Sequence, residues 1–442
     1  MRINKGSFSI SVALIAFGSL IGACGDGQIT GLEEGRVGEP PPNQADLDGG
    51  TPWQDALADI GQPTDGSADG EPPAEGPPTF VGSAHPNMFL NSTEIAAVIA
   101  KIQAGESPWK EAYSGLVSRA NGYLTANTVS VTDGGPLGAS GDKHIFATGN
   151  GYGGDRADYQ AAHTLQKAVR TLALAYSLTG DAEYADKAIQ YIYDWTTNPG
   201  TKMRPDLLEG LESPAQPRLD VSITLPGMYY GADLIWNYPG WHADEKAAFV
   251  DWVETLMNEY YKPAHGQCGN NWQDWKHLMY AASAVILQNE AYLEDAFSLF
   301  KEALPCKMND DGRMEQEYTR GGNGGISYTL FSLNPMLQIA EIARHHGEDL
   351  YSYESGSKSL ERGMDYVTPY CINPSSWPWK VGNWSPGSTD GVGAFELINF
   401  YKQKSSYMDF IDKSARPLFD IWITGDTTLT HASGAFPFKI WN

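Results

Sequence analysis

The clearest pattern of hydrophobic and polar positions in the chain is helical. Between residues 158 and 178, apolar side chains recur every three or four positions on one face, at Ala161, Leu165, Val169, Leu172 and Tyr176. Thr179-Gly180-Asp181 then ends the predicted helix. The same period predicts further helices over 184–195, 244–261, 272–288, 293–304 and 333–345.

Strand-like alternation is scarce, so the region 85–442 is predicted to be all-α. Long loops rich in Gly, Pro and Trp, such as 133–157 and 372–394, separate the helices. Many helix pairs in one domain favour an (α/α) toroid, in which inner helices line a cleft. A helical-repeat array is the alternative, but the chain shows no regular consensus with a period of about 34 residues.

The predicted helix 158–178 carries a second stripe, which is polar. Tyr159, His163, Gln166 and Arg170 lie opposite the apolar face, at helical spacing. On a lone helix such a stripe would be a solvated outer face. On an inner helix of a toroid it would meet a substrate, and the pattern leaves both readings open.

The N-terminus has the features of an export signal. Basic residues precede an apolar run over 8–20, and Ile21-Gly22-Ala23-Cys24 follows. This resembles a bacterial lipoprotein signal, in which Cys24 becomes the acylated first residue of the mature chain. An ordinary secretory signal or a short membrane anchor are the alternatives. We expect an exported lipoprotein at the outer membrane or cell surface, or on the periplasmic face, held to the membrane only by its lipid.

Residues 25–84 have the composition of a disordered linker. They contain 9 Pro, 12 Gly, 12 acidic residues and one basic residue, Arg36. Such a segment buries too little apolar surface to offset its ordering entropy. We therefore divide the chain into a signal peptide (1–24), a disordered tether (25–84) and a toroid domain (85–442).

Charge excludes one class of partner. The chain has 30 Lys and Arg against 54 Asp and Glu, a net charge of −24. Nucleic-acid binding needs the opposite sign, so we expect no nucleic-acid partner. We expect a monomer.

Three cysteines remain beside Cys24, and none forms a C-x-x-C pair, which argues against a structural zinc site. Cys268 and Cys306 flank the same helical segment, so we predict that they form a disulfide. Three buried free thiols, including Cys371, are the alternative.

Several segments, taken in order, resemble the alginate-lyase domain superfamily over roughly residues 85–420. They are Thr171-Leu-Ala-Leu-Ala-Tyr-Ser-Leu-Thr-Gly-Asp181, Asn198-Pro199-Gly-Thr-Lys-Met203, Gly269-Asn270-Asn271-Trp272, and Asp311-Gly312-Arg-Met-Glu-Gln-Glu317-Tyr-Thr-Arg320-Gly321 followed by Tyr328. The resemblance implies an (α/α) toroid and β-elimination of uronate polysaccharides. In this reaction a base removes the proton at C5, neutral donors or a cation stabilise the developing charge, and an acid protonates the leaving oxygen.

The resemblance assigns roles to three residues. Tyr328 matches the tyrosine that serves as both base and acid, Arg320 matches the cation that assists it or holds a carboxylate, and Asn271 matches the donor to the substrate carboxylate. A structural reading stands beside each role. Tyr328 would be a packed aromatic residue and Arg320 would form a salt bridge with Glu317.

The structural alternative for Asn271 is a helix N-cap with Asp274 at N3, as in a capping box. Both roles could coexist if Asn270 and Asn271 share them.

One departure from the family pattern concerns the position after the Asn pair. Trp272 occupies the place where the best-known alginate lyases have His. His163 on the polar stripe or His277, seven residues after Asn270, could replace it in space. A hydrogen-bonded structural histidine is the alternative for each. Tyr159, Gln166, Asn270, Trp272 and His277 are the predicted substrate-binding residues.

We expect an anionic polysaccharide substrate, such as alginate or glucuronan, with no cofactor and no metal. Two other functions remain open. One is an (α/α) glycoside hydrolase, for which Asp311, Glu315 and Glu317 are available carboxylates. The other is a non-catalytic glycan-binding lipoprotein.

Two loops carry further candidate features. The glycine-rich run 321–325 is predicted to lie beside the cleft. Trp377, Trp379 and Trp384 are candidate sugar-stacking platforms, with core or lid packing as the alternative.

Overall fold

The fold is taken from a computed structural model, which describes residues 84–150, 154–262, 268–320, 325–379, 391–414, 416–420 and 425–441. The signal peptide with Cys24, the tether up to residue 83, residues 321–324 of the glycine-rich run and Trp384 lie outside the described residues. Within the described ranges, no helix is both long and apolar enough to cross a membrane.

The described part of the chain is mostly helical. The first helices are α1 (Ser92–Gln103), α2 (Trp109–Thr125), α3 (Ala157–Thr179), α4 (Ala182–Thr196), α5 (Gln216–Ser222), α6 (Leu225–Leu234) and α7 (Ala243–Leu256). They are followed by α8 (Asn271–Ile286), α9 (Glu290–Lys307), α10 (Gly325–His345), α11 (Leu360–Ile372), α12 (Gly393–Lys402), α13 (Ser405–Lys413) and α14 (Thr427–His431). A π-helical turn (Met257–Tyr261) extends α7, and a 3-10 turn (Pro374–Ser376) follows α11.

Two short parallel strands, β1 (Phe146–Thr148) and β2 (Leu208–Gly210), pair Phe146 with Leu208 and Thr148 with Gly210. The backbone N–H of Ala147 in β1 donates to the buried carboxyl of Asp158, 2.8 Å away, at the start of α3. The small sheet is thereby joined to the first turn of that helix.

The helices form two layers, as the (α/α) toroid prediction requires. In the inner layer α3 packs on α6, α6 on α8, α8 on α10 and α10 on α12. In the outer layer α4 packs on α3 and α6, α7 on α4 and α8, α9 on α8 and α10, and α11 on α10. Because outer helices cover the inner ones, α3, α8 and α10 bury residues on almost every face.

The six helices predicted from the sequence are all present, and one of them begins eight residues earlier than expected. The predicted helix 333–345 is part of α10, which starts at Gly325 and continues through Pro335. Its first turns carry Thr329, Ser332 and Asn334, which are buried although polar. Buried polar residues at these positions interrupt the apolar–polar period from which a helix start is recognised.

A disulfide joins Cys268 and Cys306, which confirms the predicted pair, and Cys371 is a buried free thiol. The bond connects the residues just before α8 to the last turn of α9. The two ends of this helix pair are therefore covalently linked at the point where α8 begins.

A buried ion cluster fixes the C-terminal segment to α10. Arg344, which is fully buried, donates to Glu94 of α1 at 2.6 Å and to Glu341 at 3.0 Å. The same guanidinium donates to the carbonyl of Lys439 at 3.0 Å, and the indole N–H of Trp441 donates to Glu94 at 2.9 Å. One cluster therefore holds both ends of the described domain against α10.

Candidate active site

Tyr328 and Arg320 are in direct contact. Tyr328 lies in the first turn of α10, and the guanidinium carbon of Arg320 lies 4.2 Å from the centre of its ring. A guanidinium at this distance interacts favourably with the face of an aromatic ring. The two residues that the sequence assigned as catalytic tyrosine and neighbouring cation are thus brought together.

Glu317 joins Arg320 to Asn271. Its Oε2 accepts from Nη1 of Arg320 at 3.2 Å, so the salt bridge expected as the structural reading of Arg320 is present together with the ring contact. The side-chain amide of Asn271 donates to Oε1 and Oε2 of Glu317 at 3.0 and 2.9 Å, and its backbone N–H donates to Oε1 at 2.6 Å. Burial raises the pKa of Glu317 to about 7, although Arg320 and the bonds from Asn271 act against the shift.

The start of α8 differs from the capping box that the sequence suggested. Asn270 is the N-cap, because its side chain accepts from the backbone N–H of Trp272 at 3.0 Å, and Asn271 is the first helical residue. The capping reading of Asn271 is therefore wrong, and its side chain is available to Glu317.

Asp274 does not close a capping box. Its carboxylate accepts hydrogen bonds from Lys307 of α9 and Ser332 of α10, and all three side chains are buried. Lys307 also donates to the carbonyl of Asn270 at 3.1 Å. Helices α9 and α10 thereby fix the first turn of α8, from which Asn271 projects.

The polar stripe on α3 is buried, so the solvated-face reading is wrong. Tyr159, His163, Gln166 and Arg170 are all at most 8% exposed. His163 makes an edge contact with Tyr159 at 4.5 Å between ring centres, and its Nδ1 lies 3.5 Å from the amide nitrogen of Gln166. Burial and nearby cations hold the pKa of His163 well below its usual range, so the ring is neutral.

The other members of the stripe have structural contacts. Gln166 is fully buried beneath α6, where a Cβ added to Gly227 would come within 2.5 Å of its amide oxygen. This close approach explains a glycine in the first turn of α6. Arg170 donates to the backbone carbonyl of Asp420 at 2.9 Å, so part of the stripe holds the C-terminal region of the domain.

A second arginine, Arg156, completes the α3 group and was not predicted from the sequence. Its guanidinium lies 3.9 Å from the ring centre of Tyr159 and donates to both oxygens of Asp220, at 2.6 and 3.1 Å. Burial raises the pKa of Asp220 to about 6 even though Arg156 lowers it. Arg156 precedes its helix and has no sequence neighbour of opposite charge at helical spacing, so no local signal indicated the pair.

The remaining predicted residues lie on α8 or in the loop after α11. Trp272 is partly buried and His277 is 4% exposed. Trp377 is buried against Tyr370, with 4.8 Å between ring centres, so core packing is its observed environment. Trp379 makes an edge contact with Tyr318 at 4.7 Å.

The carboxylates available for a hydrolase have separate partners. Glu317 is committed to Asn271 and Arg320, Glu315 accepts from Asn309 at 2.5 Å, and Asp311 accepts from Arg313 at 2.7 Å. In the part of the chain that the structure describes, no three His, Cys, Asp or Glu residues are grouped so that they could hold a metal ion.

The double layer of helices is that of an (α/α) toroid, and the contacts among Tyr328, Arg320, Glu317 and Asn271 link the first turns of two inner helices. The alginate lyase family model matches residues 138–377, more than half of the chain, and the chain belongs to this family. A curated polysaccharide lyase from Stenotrophomonas maltophilia (strain K279a) is 24% identical over 194 residues, which is 43% of this chain. The chain matches 56% of the length of that relative.

Solved structures show the same fold. An alginate lyase from Bacteroides ovatus superposes with a TM-score of 0.65 at 21% identity, covering 79% of this chain and 100% of that one. Alginate lyase A1-III from Sphingomonas species A1 gives a TM-score of 0.57 at 19% identity, covering 79% of this chain and 99% of the other. A histidine-to-alanine variant of alginate lyase A1-III complexed with a tetrasaccharide gives 0.62 at 18% identity, covering 79% and 99%.

Proposed function

We propose that this protein is a polysaccharide lyase that cleaves a uronate-containing glycan, such as alginate or glucuronan, by β-elimination. The observation that supports it is the contact of Arg320 with the ring of Tyr328, in a chain of the alginate lyase family. Structural relatives that bind a tetrasaccharide agree with a saccharide substrate. The substrate carboxylate makes the neighbouring C5 proton removable, which is the chemical reason for a uronate.

In the proposed reaction the phenol oxygen of Tyr328 takes the proton from C5. The electron pair forms the C4–C5 double bond, the C4–O4 bond breaks, and the leaving oxygen receives a proton from the same tyrosine. Arg320 stabilises the phenolate and the charge that develops on the uronate. One group can serve both steps when the proton and the leaving oxygen lie on the same face of the sugar.

Asn271 is held in place by Glu317, both oxygens of which accept from its amide nitrogen. The two oxygens of one carboxylate lie in nearly the same direction from that nitrogen, so one N–H serves both. The second N–H of the amide can then donate to a substrate carboxylate. Neutral His163, with Tyr159 and Gln166 around it, is the candidate for the second group that the family supplies from the position of Trp272.

The test is Tyr328→Phe, which keeps the ring and its contact with Arg320 but removes the reacting oxygen. We expect kcat to fall by roughly 10²–10⁴-fold, the contribution of general acid–base catalysis, with folding and polymer binding retained. Tyr193→Phe, at an exposed tyrosine of α4, is the matched control.

Activity is followed on a panel of uronate polymers by the ultraviolet absorbance of the new C4–C5 double bond, with EDTA-dialysed protein in parallel. A Tyr328→Phe variant with near-normal kcat would contradict the mechanism. New reducing ends without this absorbance would indicate hydrolysis, and binding without either product would indicate a glycan-binding protein.

We also propose that the protein is an exported lipoprotein anchored through Cys24. The proposal rests on the lipobox at residues 21–24 and the linker-like composition of residues 25–84. A tether of this kind would let a membrane-attached enzyme reach a polymer in solution.

A further inference from the structure

Glu317 is a charged residue of the site that takes no part in the proposed proton transfers. Its side chain is 1% exposed, and every bond that the structure gives its carboxylate comes from a donor. These donors are the backbone N–H and side-chain amide of Asn271 and the guanidinium of Arg320. An ionised carboxylate, which only accepts hydrogen bonds, fits this environment, whereas a protonated one would direct its O–H at a donor.

The position of Glu317 connects two elements of the site. Asn271 belongs to the first turn of α8, and Arg320 belongs to the segment that leads to α10. The contact from Glu317 Oε2 to Arg320 Nη1 is 3.2 Å, and the guanidinium carbon lies 4.2 Å from the ring centre of Tyr328. Moving Glu317 therefore moves the cation that faces the reacting tyrosine.

We propose that Glu317 is a positioning residue whose negative charge holds Arg320 over Tyr328 and fixes Asn271, so that loss of this charge disables the site without unfolding the protein. The proposal rests on the proposed function, because it takes Tyr328 as the reacting group.

The surroundings of Glu317 give this arrangement a pH dependence. Burial is the main influence on its carboxyl and raises its pKa to about 7, with Arg320 of its own segment opposing the shift. The packed elements carry further titratable groups: Lys276 and His277 follow Asn271 on α8, Asp274 is paired with Lys307 of α9, and Tyr328 lies in the first turn of α10. The carboxylate is ionised above about pH 7, so activity should fall as the pH is lowered through that value.

The experiment compares the full-length protein with Glu317→Gln, which keeps the shape and removes the charge, and Glu317→Asp, which keeps the charge. Glu315→Gln, at an exposed neighbour, is the matched control. For Glu317→Gln we expect kcat to fall about 10²-fold, as for a small misplacement of a catalytic group, with a smaller change in KM. The residual activity of Glu317→Gln should not fall as the pH is lowered through 7. At low pH the wild-type activity should fall to the level of this variant. Glu317→Asp should have an intermediate kcat, and its activity should still fall as the pH is lowered through 7.

The pH profile separates a positioning role from a merely structural one. Asp158 and Asp220, whose pKa values burial raises to about 7 and about 6, titrate in the same range, so Asp158→Asn and Asp220→Asn are measured alongside. Activity should still fall near pH 7 in both aspartate variants. A folded Glu317→Gln variant overturns the proposal if its kcat is normal, or if its activity falls near pH 7 as in the wild type.

Two further outcomes are decided in advance. If neither Glu317 variant folds, the wild-type profile decides. The proposal is supported if wild-type activity falls near pH 7 and still does so in both aspartate variants. It is overturned if wild-type activity does not change near pH 7, or if either aspartate variant loses this fall.

The Tyr328 variant separates this proposal from the proposed function. If Tyr328→Phe abolishes activity but Glu317→Gln does not, only the role of Glu317 is refuted. If Tyr328→Phe is fully active, the proposed function fails first.

Discussion

Replacing Glu341 by glutamine should destabilise the protein by about 3–5 kcal/mol, the cost of removing one partner from a buried ion pair. Glu341 is fully buried on α10, and its carboxylate accepts from Arg344 at 3.0 and 3.2 Å, from Tyr351 at 3.0 Å, and contacts Nε2 of His431 at 3.1 Å. The variant keeps the side-chain size but leaves the buried Arg344 with Glu94 as its remaining anionic partner. The cost comes from removing one of the two anionic partners of a buried guanidinium, not from a lost packing contact.

The expected change in melting temperature follows from the size of the domain. A large domain loses about 2 °C for each kcal/mol, so Tm should fall by roughly 6–10 °C. Glu254→Gln, at an exposed position of α7, is the control and should stay within about 0.5 kcal/mol of wild type. Calorimetry at neutral pH measures both.

Activity at a temperature below the transition should be unchanged in Glu341→Gln. Tyr328 precedes Glu341 by thirteen residues on α10, about 20 Å along the helix axis. A Tm within about 2 °C of wild type would refute the reasoning and would show that Glu94 and the carbonyl of Lys439 are sufficient for Arg344.

The same cluster predicts the acid limit of stability. Burial alone would raise the pKa of Glu94, but His345 and Arg344 lower it to about 2, and Arg344 and His431 likewise hold the pKa of Glu341 well below its usual range. Because both values are depressed, their stabilisation is complete above the unfolded-state value near 4.5 and is lost as the pH falls towards about 2.

Two further predictions concern the covalent features of the chain. Replacing Cys268 and Cys306 by serine should cost about 4 kcal/mol, the loop-closure value for their separation of 38 residues, and should lower Tm as reduction does; an unchanged Tm would show that packing of α8 on α9 suffices. Cys24→Ser should move the protein from the membrane fraction to the soluble fraction of a bacterial host, whereas persistent membrane association would refute lipidation at residue 24 as the anchor.

The fold was largely predictable because most inner and outer helices keep one apolar face. Helix α3 is the clearest case, since its stripe from Ala161 to Tyr176 is uninterrupted. The start of α10 was not predictable in this way, because Thr329, Ser332 and Asn334 are polar yet buried, so polar positions there do not mark an exposed face.

The site was partly predictable because Asn271, Arg320 and Tyr328 match the motifs of the family that the sequence resembles. Glu317, Arg320 and Tyr328 lie within one short segment, and the spacing of Glu317 and Arg320 already suggested an ion pair. The bond from Glu317 to Asn271 spans 46 residues and depends on how α8 packs against α10, which no local pattern encodes. The pairing of Arg156 with Asp220 across 64 residues was missed for the same reason.

Asn271 and Tyr328 lie in the first turns of α8 and α10, and the contacts of Glu317 and Arg320 link these two turns. Each helix N-terminus carries a partial positive charge of about half an elementary charge from its aligned peptide dipoles. This charge belongs to the backbone, so it cannot be titrated away and needs no additional lysine or arginine. In a protein with a net charge of −24, the partial positive charges at the starts of α8 and α10 favour a negatively charged group at these two helix ends.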